Sequence, residues 1–144
     1  MIDETDRRLL KAIQRNAGLT AQELGEQLNL SASQAGRRRQ RLEQAGIVTG
    51  ARAVVSPEAL GLNVQAFVQV QMATHDPDKV RAFTRIIDTR PEIISAWTLT
   101  GEADYLLRVY CTDLGALHRL LHEVILPTPA VARVQAQIVV DPPT

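Results

Sequence analysis

The residues best placed to do chemistry are arginines. Arg37, Arg38, Arg39 and Arg41 fall within residues 31–45, where Glu43 is the only acid, although the chain as a whole has a formal net charge of +0. A local basic stripe on a neutral chain suits a confined contact with phosphate better than general polyanion binding. Arg37 and Arg41 are four residues apart, so on a helix they project from one face, where guanidinium groups reach guanine edges or phosphates. Ser31, Ser33 and Gln34 stand just ahead of them. Serine can contact several bases, and a glutamine amide pairs with adenine. Ser31 suits a helix cap equally well. The candidate DNA contacts are therefore Ser31, Ser33, Gln34, Arg37, Arg38 and Arg41.

Other chemistries are thinly represented. His118 and His122 have the spacing of a helical metal chelate, but no metalloprotease pattern accompanies them; the reading is an exposed pair, with no metal. The single cysteine, Cys111, excludes an intrachain disulfide and reads as a small buried residue. No nucleophile–base pair and no glycine-rich phosphate loop stands out, so the chain does not read as an enzyme, and no cofactor is expected.

Three helices must position the basic stripe. Asp3 caps the first, whose apolar stripe is Leu9, Leu10 and Ile13, with Gly18 as its stop. Thr20 and Glu23 have capping-box spacing and begin a second helix that turns Leu24 and Leu28 inward; Ser31 and Gln34 repeat the spacing and begin a third. The third runs to about Ala45, with Gly46 as a left-handed stop. Only Asn29 and Leu30 separate the second from the third, which is the short connection of a helix-turn-helix. Its second helix would lie in the major groove. Gly36 costs about 1 kcal/mol relative to alanine inside a helix. Arg39 falls where a buried face is expected, so either its stem packs and its charge snorkels outward or the helix is rotated.

The remainder alternates strands and helices. Residues 51–63 read as a linker, with Ala53-Val54-Val55 as a short strand, a helical turn from Ser56 and a break at Gly61. Val64 to Met72 alternates with period two and is a strand. Asp76-Pro77 opens a helix carrying Val80, Phe83, Ile86 and Ile87. Ile93 to Thr100 and Tyr105 to Cys111 are strands joined by a tight turn, Leu114 to Val124 is a helix, and Val134 to Val140 is the last strand. The order β-α-β-β-α-β is the ferredoxin-like arrangement, an α+β class with both helices on one sheet face. The other face should carry Gln65, Phe67, Gln69, Leu106, Arg108, Tyr110, Gln135, Gln137 and Val139. No helix remains to cover it, so it is expected to be a subunit interface. The organisation is a helix-turn-helix domain at 1–50, a linker at 51–63 and a ferredoxin-like domain at 64–144.

Composition agrees with a globular protein: 45% hydrophobic and 22% charged residues. No stretch has the length of a membrane span and the N-terminus does not read as a signal peptide, so the expected setting is a reducing cytoplasm.

The sequence resembles the Lrp/AsnC family, the leucine- and asparagine-responsive regulators. The matching stretches are Ile2-Asp3 with Asp6 and Leu9-Leu10, Leu24 through Leu30-Ser31, Arg38, Arg41-Leu42-Glu43, Gly46-Ile47-Val48 and Gly50. In the second half they are Pro91-Glu92, Thr100-Gly101 and Asp104 through Val109. The resemblance covers essentially the whole chain. It implies a winged helix-turn-helix that binds double-stranded DNA and regulates transcription. It also implies a homodimer built through the C-terminal sheets, commonly assembled to octamers, and an amino-acid effector bound between subunits. Carried over, the effector residues are Thr100, Gly101, Glu102, Ala103, Asp104, Leu114, Gln137, Ile138 and Val139. An acid there could hold an ammonium group, and backbone N–H groups near Gly101 could hold a carboxylate. From spacing alone the same loop reads as a hairpin connection in which Asp104 bonds its own turn. The chain departs from the family pattern at Val134 and Ala136, where threonines are usual, at Arg39, often apolar, and at Ala51, often aromatic. The missing hydroxyls bear on the effector's identity. The competing readings are an effector-independent structural or DNA-organising oligomer, a small-molecule-binding enzyme, and an RNA-binding module, which would need an aromatic and basic pattern absent here.

Overall fold

The computed structural model describes residues 1–101 and 104–140. The chain divides into two compact units, Met1–Val54 and Val55–Thr144.

The first unit contains α1 (Glu4–Arg15), α2 (Ala21–Leu28) and α3 (Ala32–Gln44). Each begins on a reciprocal capping box, Asp3 with Asp6, Thr20 with Glu23 and Ser31 with Gln34, which satisfies two of the N–H groups a helix start leaves open. Leu9, Ile13, Leu24, Leu28, Ala35 and Leu42 form the core. α1 ends before Gly18: Asn16 is its extended cap, and the Asn16 side chain accepts the Gly18 N–H at 2.9 Å. Between α2 and α3, Asn29 takes the left-handed conformation (φ 57°) and Leu30 N–H donates to Gly25 O at 2.8 Å. A Cβ on Gly25 would lie 2.5 Å from the Leu30 carbonyl oxygen, so the tight turn requires glycine there. α3 closes with Ile47 N–H on Leu42 O and Gly46 N–H on Glu43 O, the paired bonds of a left-handed glycine stop, with Gly46 at φ 76°.

The second unit holds β1 (Val64–Met72), α4 (Pro77–Thr89), β2 (Ile93–Thr98), β3 (Tyr105–Cys111), α5 (Leu114–Arg119), which continues as a π-helical turn through Ile125, and β4 (Val131–Ile138). The strands form one antiparallel sheet in the order β2-β3-β1-β4. This is the expected ferredoxin-like architecture. Ala66, Val68 and Val70 of β1 and Leu107 and Val109 of β3 are fully buried with Phe83, Leu120 and Ile125. Phe83 meets Tyr105 edge to face at 5.0 Å between ring centres.

Three boundaries differ from expectation. β4 begins at Val131 rather than Val134 and ends at Ile138 rather than Val140. A register shift between Gln71 and Met72 lets Val131 pair with Met72, so the ladder extends past the point where strict alternation would end it. β2 stops at Thr98 rather than Thr100, because Leu99 N–H turns to Asp104 O at 2.9 Å to close the connection. Ala53-Val54-Val55 forms no ladder among the described residues; Val54 is 99% exposed, and nothing described pairs with its backbone. The helical turn expected from Ser56 is a short 3-10 turn, Glu58–Leu60, and Gly61 ends it in the left-handed conformation.

The sheet face away from the helices is the mixed surface anticipated. Phe67 lies opposite Arg108 on one side and Gln137 on the other; Gln69 lies between Leu106 and Gln135; Gln65 faces Tyr110. β2 adds Ser95 opposite Arg108 and Trp97 opposite Leu106. Trp97 is 46% exposed. Among the described residues no helix is long and apolar enough to cross a membrane.

Candidate nucleic-acid interface and effector loop

The four arginines of α3 do not form one surface. Asp6, which has no exposed surface, sits between two of them. Arg38 Nη1 lies 3.0 Å from Asp6 Oδ1 and 2.8 Å from Asp3 Oδ2, and Arg41 Nη2 lies 2.6 Å from Asp6 Oδ2. The Arg38 guanidinium, together with the Asp6 N–H, holds the Asp3 carboxyl below its ordinary value and is itself held more firmly protonated. Arg39 resolves as a snorkelling side chain. It donates to Leu19 O at 3.0 Å and Ala17 O at 2.9 Å, and its Nε reaches Glu43 at 3.2 Å, so it ties the α1–α2 connection to α3. Only Arg37 is exposed with no ion pair or side-chain hydrogen bond among the described residues.

At the start of α3 the capping box occupies part of the expected reading head. Ser31 Oγ accepts Gln34 N–H at 3.1 Å and Gln34 Oε1 accepts Ser31 N–H at 3.0 Å, which leaves the Gln34 amide NH2 for other partners. Ser33, Arg37, Gln40 and Gln44 are all exposed and recur at intervals of three or four residues, so they form one stripe. Ala35 and Leu42 are buried on the opposite side. Gln40 and Gln44 were not singled out from sequence; extending the helical period from Ser33 finds them.

The candidate effector residues separate into two groups. Thr100 and Gly101 are exposed beside the β2–β3 connection, with Gly101 left-handed at φ 97°. Asp104 is half-buried there and bonded to β1: its Oδ2 accepts Met72 N–H at 2.7 Å, and its own N–H donates to Val70 O at 3.1 Å. Asp104 thus fastens the connection across to the end of β1 rather than bonding only its own turn. Glu102 and Ala103 lie outside the described residues. Leu114 follows the far end of β3, and Gln137 and Ile138 pair with Phe67 and Ala66, in the first half of β1; the Val139 N–H donates to Gln65 O. The seven residues of β3 separate the loop from Leu114, roughly 20 Å at strand rise. Within one chain they do not meet.

His118 and His122 are exposed, with ring centres 4.3 Å apart and ring planes tilted by 37°. Among the described residues no three His, Cys, Asp or Glu side chains converge as a metal site. Cys111 is buried, and burial pushes its thiol above the ordinary range, with Glu92 and Asp113 adding to the effect.

Comparison with known proteins fits both units. Residues 2–49 match the winged helix-turn-helix DNA-binding family model, and residues 65–143 match the Lrp/AsnC ligand binding domain. The chain is 30% identical over 141 residues to the DNA-binding transcriptional activator DecR of Escherichia coli K12, covering 98% of this chain and 93% of that one. A transcriptional regulator from Neisseria meningitidis, solved as its L-Met complex, superposes with a TM-score of 0.92 at 36% identity, over 98% of this chain and 91% of that one. The structure of E. coli AsnC gives 0.85 at 30% identity, over 100% and 95%. Members of the family are transcriptional regulators rather than enzymes. With one unit matching the winged helix-turn-helix model and the other the Lrp/AsnC ligand binding domain model, the chain belongs to the Lrp/AsnC family of transcriptional regulators.

Proposed function

We propose that the chain is a sequence-specific DNA-binding regulator, an even-numbered homo-oligomer whose DNA binding is modulated by an amino acid held between second units of different copies. The observation that carries the DNA reading is the exposed stripe Ser33, Arg37, Gln40 and Gln44 on a helix whose entry is fixed by the Gly25 turn. Hydroxyl, guanidinium and amide groups at one-turn intervals match the donors and acceptors of base edges in the major groove. Arg37 is the cation free to engage a base or phosphate; Arg38 and Arg41 hold α3 on α1 through Asp6.

Assembly is supported by the uncovered face around Phe67, Leu106 and Trp97. The effector reading is supported by the relative solved with L-Met and by the separation of the two residue groups. Thr100, Gly101 and Asp104 can share a ligand with Leu114, Gln137, Ile138 and Val139 only if a second copy brings its far strand ends to the loop. In that arrangement Asp104 orders the loop through Met72 and leaves one carboxylate oxygen for an ammonium group. The effector acts only through different affinities for the binding states, and DNA must alter effector affinity in return.

Duplexes selected from a random pool by the wild-type protein provide the test, read by fluorescence anisotropy across a salt series. Arg37→Ala should bind about tenfold more weakly, with the slope of log affinity against log salt shallower by about one. Unchanged affinity and slope would remove Arg37 from the interface. Repeating the wild-type titration with each of the common amino acids should reveal at least one that shifts affinity severalfold. A null result with all of them would leave an effector-independent, DNA-organising oligomer.

A further inference from the structure

We propose that the outer face of α1 is a second contact surface for the DNA backbone, separate from the stripe on α3, so that one helical unit holds two stretches of duplex. This rests on the DNA-binding reading above.

The charge is not evenly shared between the units: residues 1–54 carry nine Lys and Arg against six Asp and Glu, and residues 55–144 carry seven against ten. Much of the excess lies on one face of α1. Asp6, Leu9 and Ile13 turn inward. Arg8, Lys11 and Arg15 recur at three- and four-residue intervals and are exposed, and helical geometry puts them on the opposite side. Since Asp6 is the anchor for Arg38 and Arg41 of α3, this basic face looks away from the recognition helix. None of the three is ion-paired among the described residues, whereas neighbouring Arg7 lies 3.8 Å from Glu4.

The three cations line an open groove of about 500 Å3 against the end of α2, which also includes Asn16 and Gln27 and no carboxylate. Arg8 Nη2 donates to Gln27 O at 3.2 Å, which fixes its head at the groove wall. Asn16 has its side-chain oxygen committed to Gly18 N–H, so the amide NH2 is what it offers outward. The groove thus offers three cations and the amide N–H groups of Asn16 and Gln27, with no carboxylate to oppose them, which suits phosphate. From Arg8 to Arg15 is about 10 Å of helix axis, over which one DNA strand rises past about three phosphates. A duplex read by α3 cannot also lie along the far side of α1, so the occupant is DNA beyond the selected site.

The test compares a selected short duplex with the same site carrying long flanks, using the full chain with R8Q/K11Q/R15Q and with K11Q/R15Q, which keeps the Arg8 bond to Gln27. Wild type should bind the flanked duplex more tightly. Both variants should stay within about twofold of wild type on the short duplex. On the flanked duplex the triple variant should lose about tenfold or more, its salt slope shallower by about two to three, with the double variant intermediate. Wild-type affinity of both variants for flanked DNA would overturn the proposal. So would an equal loss on the short duplex, which would assign the stripe to the operator contact. A change in sedimentation without DNA would also overturn it, because the stripe would then hold the acidic surface of another copy. Failure of wild type to select any duplex is a different result: it removes the DNA-binding reading underneath.

Discussion

The two units treat their inward and outward surfaces differently. In the helical unit every polar group that turns inward is met within the unit. Buried Asp6 is flanked by Arg38 and Arg41, and the half-buried Arg39 ends on the carbonyls of Ala17 and Leu19. What remains outside is charged or amide-bearing: Arg37, Gln40 and Gln44 on α3, and Arg8, Lys11 and Arg15 on α1. In the sheet unit one face is sealed by α4 and α5 over Val68, Leu107 and Val109, while the other presents Phe67, Leu106 and Trp97 among glutamines with nothing described above them. The first unit is complete in its packing and open in its charge. The second is packed on one face and leaves the other, apolar and amide-bearing, open among the described residues.

Removing the charge that closes the first unit should have the largest effect. Asp6→Ala removes the buried acid between Arg38 and Arg41; because those arginines are 30% and 57% exposed and Arg38 keeps Asp3, the loss should be about 3 kcal/mol, the low end for breaking a buried pair. Urea denaturation followed by helical circular dichroism should show a helical unit unfolded or close to it; a loss below about 1 kcal/mol would mean that water replaces the carboxylate and that the unit is less closed than described. Next in size, Phe67→Asp places a charge in the middle of the uncovered sheet face. If that face is where copies meet, self-association should weaken by roughly a hundredfold, about 2.7 kcal/mol, in sedimentation equilibrium. Association at wild-type strength would shift the interface elsewhere. The smallest effect sharpens the contrast in the opposite direction. A Cβ on Gly36 would meet the Ala21 Cβ at 3.6 Å, an ordinary contact. Gly36→Ala should therefore stabilise the helical unit by up to about 1 kcal/mol. A destabilised variant would show that α2 and α3 are packed more tightly than that distance allows.

What could be read from the sequence follows the same division. Helix starts were legible because capping is local: Asp3, Thr20 and Ser31 each meet a partner three residues on. β1 and β3 were legible in full because, from Ala66 and from Leu107 onward, every second residue is buried and those between are half-buried or exposed. The misses lie where distant parts of the chain decide. The start of β4 depends on the shift between Gln71 and Met72, some sixty residues earlier. Trp97 and Ser95 escaped notice because a register break between Ile93 and Ser95 disturbs the alternation of β2. The run of arginines looked uniform because nothing near it in sequence reveals that Asp3 and Asp6, more than thirty residues away, engage two of them. The separation of the Gly101 loop from Gln137 likewise appears only once the strands are in register.

The strand order carries a consequence for the history of each molecule as it is made. β1 is an inner strand, flanked by β3 and β4, yet β4 is the last of the four in sequence. Until β4 arrives, β1 keeps one bare edge of N–H and C=O groups. The helical unit, built from contacts close in sequence, can settle as soon as residues to Val54 have left the ribosome. The sheet must wait for nearly the entire chain, since its closing pairs join residues such as Phe67 and Gln137. A nascent chain therefore passes through a stage with a finished helix-turn-helix and an unfinished sheet. At that stage the exposed edge of β1 is the place where a chaperone, or another nascent copy, would first engage it.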